Sequence, residues 1–490
     1  MDDSGKSHLY FVNFDELVKS PNVCFSVIPA KAGIQFFLII INSLDSGFHR
    51  SDDFLRDHQL SFLKNGIRGI QRTPRKNFLK NPVRAIGVFR KEKEMGKGCK
   101  PILTAGMMFS VLALLVSWTP ATAAGPGPIK IGFMGELSGV YAREGQYMER
   151  ALKLAVEETG NKIAGREVVI IVEDQEMKPD VAVTKAKKLV ERDGCQILAG
   201  NYASSTALAV RDYAHERKVP FLSLSGASTF LLRTTKKSPY VWLGGMSAGQ
   251  NMFALPYYMT QKKGFKRAIV LVPDYSYGLD CAAWFKEEVE RGGGKIVQEI
   301  HSPFPTMDFS PYIASFKVKE ADIVYPDFSG ADAVRVIRQY REAGIPLPVA
   351  GCGTFMPGTT EMMDPKDAHG GWGSNPWIPE IDTPENKAFM QAYRKKYNDD
   401  PGINAACAYA SSSALIHALR AVKGNIEETE KFLKALSDVD FTSLWGRWFF
   451  EKETHAVVMH NFVFQVEKVD NKTRNVIVYH EKEARVGEVL

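Results

Sequence analysis

Polar and small residues end nearly every strand predicted after residue 128. They are Ser138-Gly139, Asp174-Gln175, Gly200-Asn201, Ser225-Gly226, Asp274, Asp327 and Gly351. Ligands of open α/β sheets bind outside the carboxyl ends of the strands, so these residues are the candidate ligand-binding residues. In "YASS", Ser204 and Ser205 lie between a strand and a helix, where backbone N–H groups and the helix dipole suit a carboxylate. The alternative is that one of them only caps the helix.

Motifs for catalysis or metal binding are weak in this sequence. No His-Glu-x-x-His, P-loop or Gly-x-Gly-x-x-Gly stands at a strand-to-helix turn. One Gly-x-Ser-x-Gly occurs at Gly245 to Gly249, but the His-Gly-Gly at His369 follows it, whereas a hydrolase needs its oxyanion-hole motif earlier in the chain. His455 and His460 are five residues apart in a predicted strand, which is poor metal spacing. We therefore expect no enzyme, no metal and no cofactor.

The elements that must position the strand-end residues alternate between strand and helix. Continuous apolar runs such as "IKIGFMGEL" and "RAIVLVPD" indicate strands buried on both faces of a parallel sheet. Helical patterns such as "GQYMERALKLAVEETG" and "GADAVRVIRQYREAG" separate the strands, and "LPVAGCG" (347–353) is predicted as a further strand. The series breaks near residue 247 and restarts at Arg267. The pattern predicts an α/β fold of two Rossmann-like lobes with a cleft between them.

Five segments, in order and at the expected distances, resemble periplasmic binding proteins of ABC importers, the branched-chain amino-acid (Leu/Ile/Val-binding) type. They are "IKIGFMGELSGVYAREGQYMERALKLAVEE", "VEDQEMKPDVAVTKAKKLV", "ILAGNYASSTALAVRDYAHERKVPFLSLSGAS", "VLVPDYSYGLDCAAWF" and "IVYPDFSGADAVRVIRQYREAG". The resemblance implies two lobes joined by a hinge of three crossovers. We expect residues 125–247 plus 373–440 in lobe 1, and 248–372 plus 441–490 in lobe 2.

The resemblance also implies ligand contacts in lobe 1. Ser204 would give its N–H and hydroxyl to a carboxylate, Gly226 a carbonyl, and Ser228 an N–H and a hydroxyl. An ordinary Gly-Ser turn is the alternative for the last two. Glu144 stands at a cleft-facing position where relatives often carry an aromatic residue. Tyr141 is the alternative aromatic wall, or both residues belong to a solvated loop.

In lobe 2 the resemblance places Tyr277 against the ligand when the lobes close, with Phe328 and Ser329 near another cleft position. Asp327 is either the partner of a ligand ammonium or a helix N-cap. Trp372, near the expected third crossover, is a candidate for stacking on an apolar or aromatic acid. Plain packing is the alternative for this tryptophan.

The sequence departs from the amino-acid-binding relatives at "AGCGTF". Those relatives carry an acidic residue near Gly353 that neutralises the ligand's ammonium, whereas Cys352, Gly353 and Thr354 are uncharged. Burying an unpaired ammonium is costly, so the acid cannot simply be omitted. Either Asp327 or Glu144 replaces it, or the ligand has no α-ammonium.

The N-terminal quarter of the chain is interpreted as a leader that precedes the mature protein. Residues 95–124 combine Lys97 and Lys100, an apolar run from Ile102 to Trp118 and the small residues Ala121-Thr122-Ala123, which predicts a secretory signal cleaved near Ala123 or Ala124. A retained membrane anchor is the alternative. Residues 1–94 are interpreted as an over-extended gene start or a basic extension.

Charge supports this division. Residues 1–124 hold 17 of the 62 basic and 10 of the 56 acidic residues, which leaves 45 basic and 46 acidic residues in the rest. The net charge of +6 therefore belongs to the leader, and a nucleic-acid partner is not indicated. Four cysteines remain after cleavage, either in one or two disulfides or as buried thiols.

The sequence therefore predicts a monomeric periplasmic protein without a cofactor. By resemblance it captures a small amino-acid-like or carboxylate ligand by hinge closure and delivers it to an ABC permease in the inner membrane. The alternative is a ligand-sensing receptor or regulator of the same fold.

Overall fold

The computed structural model describes residues 23–29, 35–41, 127–226 and 238–484. Strands β1 (Val23–Pro29) and β2 (Gln35–Ile41) form an antiparallel pair and belong to the first of the two units into which the chain divides. The other unit, residues 110–490, carries the α/β architecture. The predicted signal segment and Ser228 lie outside the described residues.

The first sheet has six strands in the order β4-β5-β3-β6-β7-β8. All neighbours are parallel except β4, which pairs antiparallel with β5. The strands are β3 (Ile129–Gly135), β4 (Lys162–Ile163), β5 (Arg166–Asp174), β6 (Ile197–Gly200), β7 (Phe221–Ser223) and β8 (Val241–Leu243).

Helices cover both faces of this sheet, as the apolar runs predict. Ile131 and Phe133 of β3 pack into the core beside α1 (Ala142–Glu157), while Met134 faces α2 (Pro179–Lys187) and α3 (Ser204–Arg217). Successive strand side chains point to opposite faces, so both faces need apolar cover.

The second sheet begins with three parallel strands in the order β10-β9-β11. A five-stranded antiparallel sheet has the order β12-β15-β14-β13, and its fifth strand, β16, also pairs with β15. The strands are β9 (Arg267–Pro273), β10 (Lys295–Ser302), β11 (Ile323–Pro326), β12 (Trp372–Asn375), β13 (Asp440–Ser443), β14 (Gly446–Phe450), β15 (Val457–Val469) and β16 (Lys472–Ala484).

One predicted strand, at residues 347–353, is reduced to two single bridges. Val349 bridges Val324 and Ala350 bridges Trp372, so this segment connects β11 to β12 without forming a ladder of its own. Pro346 and Pro348 have no N–H to donate to a neighbouring strand. The prediction of a full strand was therefore wrong.

The remaining helices complete the layers around the second sheet and beside α1. They are α4 (Ala248–Gln261), α5 (Ser276–Arg291), α6 (Ser310–Ala314), α7 (Gly330–Glu342), α8 (Pro365–Ala368), α9 (Pro384–Tyr397), α10 (Ile403–Ala421) and α11 (Thr429–Ser437). Short 3-10 turns occur at 139–141, 318–320 and 360–362, and a π turn at 188–192.

The chain passes between the two sheets three times. It leaves β8 of the first sheet for α4, which packs on α5. It leaves β12 for α9, and it enters β15 after Ala456 has bridged Leu243 at the edge of the first sheet. The two-lobed α/β fold with three crossovers is thus confirmed.

Strands β13 and β14 lie beside the first sheet. The ring of Trp242 in β8 contacts that of Phe450 in β14, with 4.8 Å between their centroids. Sequence analysis expected everything after residue 440 in lobe 2. The contact favours a boundary near residue 456, and the assignment of residues to lobes stays a prediction.

The four cysteines of the described region, Cys195, Cys281, Cys352 and Cys407, are buried free thiols. This is the second of the two alternatives that the sequence left open. No helix within residues 127–226 or 238–484 is both long and apolar enough to cross a bilayer.

Candidate functional site

A narrow cavity lies where the lobes meet, and most of its lining comes from strand ends and helix starts. Its space is about 20 Å³, room for about one water molecule, so a larger solute requires the walls to move apart. The lining residues are Tyr202, Ser204, Gly226, Met246, Ser247, Ala248, Asn251, Tyr275, Tyr277, Ser329 and Met356.

Four helices begin at this cavity. Ser204 is the first residue of α3, and Ser247, Tyr275 and Ser329 are the N-cap residues of α4, α5 and α7. A helix N-terminus carries a partial positive charge and N–H groups that accept an anion. The described residues that line the cavity include no lysine, arginine or histidine. Among the described lining residues, the groups suited to an anion are therefore the helix N-termini and not basic side chains.

The lobe 1 wall is held by a buried carboxylate that sequence analysis missed. Glu136, one residue after β3, is fully buried. Its Oε1 accepts hydrogen bonds from Gln175 Nε2 at 2.7 Å, Ala203 N at 3.0 Å and Thr206 Oγ1 at 2.9 Å. Its Oε2 accepts from Tyr202 N at 3.1 Å. These bonds fix the "YASS" loop and direct α3 toward the cavity.

Burial raises the pKa of Glu136, and the bonds from Ala203, Thr206 and Tyr202 oppose that rise. The sequence signal was available in part, because Glu136 lies near the end of the predicted strand "IKIGFMGEL", two residues before Ser138. What the sequence could not show is that the loop after β6 would donate two backbone N–H groups to it.

Tyrosines connect the two walls. The hydroxyl oxygens of Tyr141 in lobe 1 and Tyr275 in lobe 2 are 2.9 Å apart, a hydrogen-bond distance. The Tyr141 ring also contacts Tyr202 edge-on, with centroids 4.9 Å apart, and stacks on Phe304 at 5.4 Å. Tyr141 is thus buried between the lobes rather than exposed in a solvated loop.

Glu144 is buried close to Tyr141, in the first turn of α1. Its Oε1 lies 3.3 Å from the position a Cβ would take at Gly330, the first residue of α7. Its Oε2 has no hydrogen-bond partner within the described residues. Burial raises the pKa of Glu144 to about 7. It lies between the lobes but does not line the cavity.

The lobe 2 wall contains Tyr277 and, behind it, Asp327. Asp327 is 3% exposed, and its Oδ1 accepts a hydrogen bond of 2.6 Å from Gly353 N. Burial raises the pKa of Asp327 to about 6, while hydrogen bonds from Gly353, Cys281, Thr354 and Tyr277 lower it. Oδ2 is buried without a partner in the described part of the chain.

Gly353 leaves the space that Asp327 uses. A Cβ at this glycine would lie 3.1 Å from Asp327 Oδ1, 3.1 Å from the Tyr277 hydroxyl and 2.7 Å from the Phe328 carbonyl oxygen. Asp327 does not cap α7, because the N-cap residue is Ser329. Asp327, the residue after β11, thus lies against Gly353, near which the sequence itself has no acidic residue.

The first crossover supplies a third wall that sequence analysis did not assign to the site. Ser247 caps α4 in a capping box: its Oγ accepts from Gln250 N, and Gln250 Oε1 accepts from Ser247 N, both at 3.0 Å. Ser247 in the Gly-x-Ser-x-Gly segment is therefore a helix cap at the first crossover. The S-x-x-Q spacing is the sequence signal for this cap.

Several candidate residues lie elsewhere. Trp372 is in β12, where its ring lies 6.2 Å from that of Tyr258 and under Lys263 Nζ. Phe328 packs edge-on against Phe309 in the core, with 4.9 Å between the ring centroids. Neither lines the cavity, nor does Ser205, the second residue of α3. The structure brings together Ser204, Gly226, Tyr277 and Ser329.

Comparison with known proteins agrees with this geometry. A family model described as "Periplasmic binding protein" matches residues 128–473. Leu/Ile/Val-binding protein homolog 6 of Brucella melitensis is 26% identical over 388 residues, which cover 77% of this chain and 96% of the relative.

Two solved structures are similar over nearly their whole length. An ABC transporter substrate-binding protein from Sphaerobacter thermophilus is 29% identical with a TM-score of 0.68, over 73% of this chain and 98% of its own. A Rhodopseudomonas palustris solute-binding protein in complex with 4-hydroxybenzoate is 26% identical with a TM-score of 0.69, over 74% and 99%. The chain belongs to the periplasmic binding protein family.

Proposed function

We propose that this protein is the extracytoplasmic solute-binding component of an ABC importer. It captures a small carboxylate between its lobes and delivers it to a membrane permease. The observation that carries the proposal is the convergence of four helix N-termini on one cavity whose described lining has no basic side chain. Such a site binds one small anion through backbone N–H groups.

The carboxylate binds at the start of α3. Ser204 is 2% exposed, lines the cavity and follows a loop that Glu136 fixes. Gly226, at the end of the β7 segment, lies on the same wall. Ser228 is a further candidate on sequence grounds. We expect the apolar part of the solute to lie against Tyr202, Tyr275 and Tyr277.

The ligand class is a small amino-acid-like or aromatic carboxylate. Relatives support both: one is named a Leu/Ile/Val-binding protein homolog, and another binds 4-hydroxybenzoate. The tyrosines of the cavity favour a flat or branched apolar body. Asp327 and Glu144 are the candidates for pairing with an ammonium, because each has a buried carboxylate oxygen without a partner in the described residues.

Closure and delivery follow from the hinge. A solute that contacts both walls favours the closed state by its differential affinity for the two states. The Tyr141–Tyr275 contact joins the lobes in that state. The relatives are transport proteins, which supports transport over the sensor alternative. We also propose that the protein is exported with its signal cleaved near Ala123 or Ala124. It is then a monomer that docks on a permease in the inner membrane.

Calorimetric titration of protein purified from the periplasm of an expressing bacterium tests the proposal. We expect at least one acid among L-leucine, L-isoleucine, benzoate and 4-hydroxybenzoate to bind with a single site. Ser204→Ala should weaken that binding about ten-fold or more, because a hydrogen bond to a charged group contributes roughly 1.5–3 kcal/mol. Ser205→Ala, one residue along α3 and outside the cavity lining, is the matched control. Equal losses in both variants would contradict the proposed carboxylate site.

A further inference from the structure

A polar side chain at the hinge lines the cavity and has a buried oxygen without a partner among the described residues. Asn251 is the fourth residue of α4 and is 3% exposed. Its Oδ1 is buried and has no hydrogen-bond partner among the residues that the structure describes. Buried amide oxygens are normally hydrogen-bonded, so this atom calls for a donor from within the cavity that it lines.

The backbone around Asn251 is held by other residues. The capping box of Ser247 and Gln250 satisfies the first turn of α4. The Gln250 side chain donates to Val457 O at 2.7 Å in β15, so it connects the first crossover to the third. The Asn251 carbonyl oxygen accepts from Cys352 Sγ at 3.1 Å. The Asn251 amide therefore neither caps the helix nor ties the crossovers together.

A second unpartnered acceptor lies near the cavity in lobe 2, although it does not line the cavity. Asp327 Oδ2 is buried without a partner in the described region, and Asp327 lies behind the cavity-lining Tyr277. The hinge thus presents an oxygen acceptor to the cavity, with a second one close to it in lobe 2, whereas the start of α3 in lobe 1 presents N–H donors. The two kinds of wall are complementary to a solute with a carboxylate and a separate donor group.

We infer that Asn251 is a specificity-determining residue that binds a hydrogen-bond donor of the solute, a hydroxyl or amino group distinct from its carboxylate. This inference rests on the proposed function. It excludes plain hydrocarbon acids as preferred solutes. A site built to hydrogen-bond a substituent rejects the analogue that lacks it, because the protein's buried polar atoms are then left unpaired.

Two matched pairs of acids test the inference by calorimetric titration. The first is 4-hydroxybenzoate and benzoate, and the second is L-leucine and 4-methylpentanoate, which lacks only the amino group. In wild-type protein we expect the donor-bearing acid of at least one pair to bind about ten-fold more tightly than its partner. The pair that shows the difference identifies whether the donor is a phenolic hydroxyl or an ammonium.

Asn251→Leu keeps the volume of the side chain and removes the amide. We expect it to reduce that ten-fold preference to three-fold or less, while the acid without the donor keeps its Kd within about three-fold. Met252→Leu, at the next and equally buried position, is the control that repacks α4 without touching the amide. Asn251→Ala is the second variant in case the leucine side chain impairs folding, which the melting temperature of the unliganded protein reports.

The outcomes are distinguishable. If the acids bind but neither pair shows a preference, or if both Asn251 variants keep it, the inference is overturned and the proposed function stands. If none of the four acids binds the wild-type protein, the proposed carboxylate-binding function fails and the inference fails with it.

Discussion

Each lobe holds a buried acid near the cavity, and the two acids differ in their hydrogen bonds. Glu136 of lobe 1 has donors on both oxygens, two of them backbone N–H groups of the loop that leads into α3. Asp327 of lobe 2 has one oxygen bonded to Gly353 N and the other buried without a partner in the described residues. The difference is that the acid near the cavity in lobe 1 holds a loop in place, whereas the acid in lobe 2 keeps one buried oxygen without a partner among the described residues.

The largest expected effect on stability comes from removing the hydrogen bonds that Glu136 accepts. Glu136→Gln places an NH₂ group where N–H and hydroxyl donors converge, so at least one donor loses its acceptor. We expect the free energy of unfolding to fall by about 2–4 kcal/mol. Solute affinity should fall with it, because the start of α3 is no longer held. Urea denaturation measures the first effect, and Glu167→Gln on the exposed side of β5 is the control. A stability equal to wild type would show that these bonds do not hold the loop.

A second prediction sharpens the comparison through pH. The folded pKa of Asp327 is about 6, above its ordinary value of 3.8, so the folded state binds this proton more strongly than the unfolded state. Wild-type protein should therefore lose stability as pH rises from about 4 to 6, by about 2–3 kcal/mol relative to Asp327→Asn. Denaturation of both proteins at pH 4, 5, 6 and 7 measures this difference.

Asp322→Asn is the control with the opposite sign. Hydrogen bonds from Arg267 lower the pKa of Asp322, so its stabilisation is present above pH 3.8 and is lost as pH falls through the lower folded value. If Asp327→Asn showed the same dependence as Asp322→Asn, the hydrogen bonds to Asp327 would outweigh its burial, as those to Asp322 do.

Gly353→Ala tests whether the glycine makes room for the acid. The added methyl group would lie 2.7 Å from the Phe328 carbonyl oxygen and 3.1 Å from both Asp327 Oδ1 and the Tyr277 hydroxyl. We expect a loss of about 1–3 kcal/mol in unfolding free energy and weaker solute binding, since Tyr277 lines the cavity. Gly370→Ala is not a suitable control because Gly370 has a positive φ, whereas Gly127→Ala adds a methyl group in open space. Unchanged binding by Gly353→Ala would separate Asp327 from the site.

The smallest effect is expected at Trp372. The sequence made it a candidate for the cleft with plain packing as the alternative, and its ring lies near Tyr258 and Lys263. Trp372→Phe should lower stability by about 1 kcal/mol or less and leave the solute Kd unchanged. Titration with the best-binding acid checks this, and a ten-fold weaker Kd would return Trp372 to the site.

The alternating elements were predictable because each depends on local pattern. The strand predicted at 129–137 is observed at 129–135, and the helix predicted from near Ser205 begins at Ser204. These elements and the helix at 330–342 follow the apolar spacing and helix-start residues of the sequence. The structure of residues 347–353 was not predictable in this way. Val349 and Ala350 form only single bridges, with two prolines before them and two glycines after them. An apolar run alone does not reveal whether its neighbours leave room for a ladder.

The sequence by itself determined the strand–helix order, the polar strand ends and the serine at the start of α3, because these follow from periodicity and backbone chemistry over short distances. Only the tertiary structure decided that Glu136 holds the Ser204 loop, that Asp327 lies against Gly353, and that Asn251 shares a cavity with both lobes. Those contacts join residues far apart in the chain, and a crossover hinge brings them together.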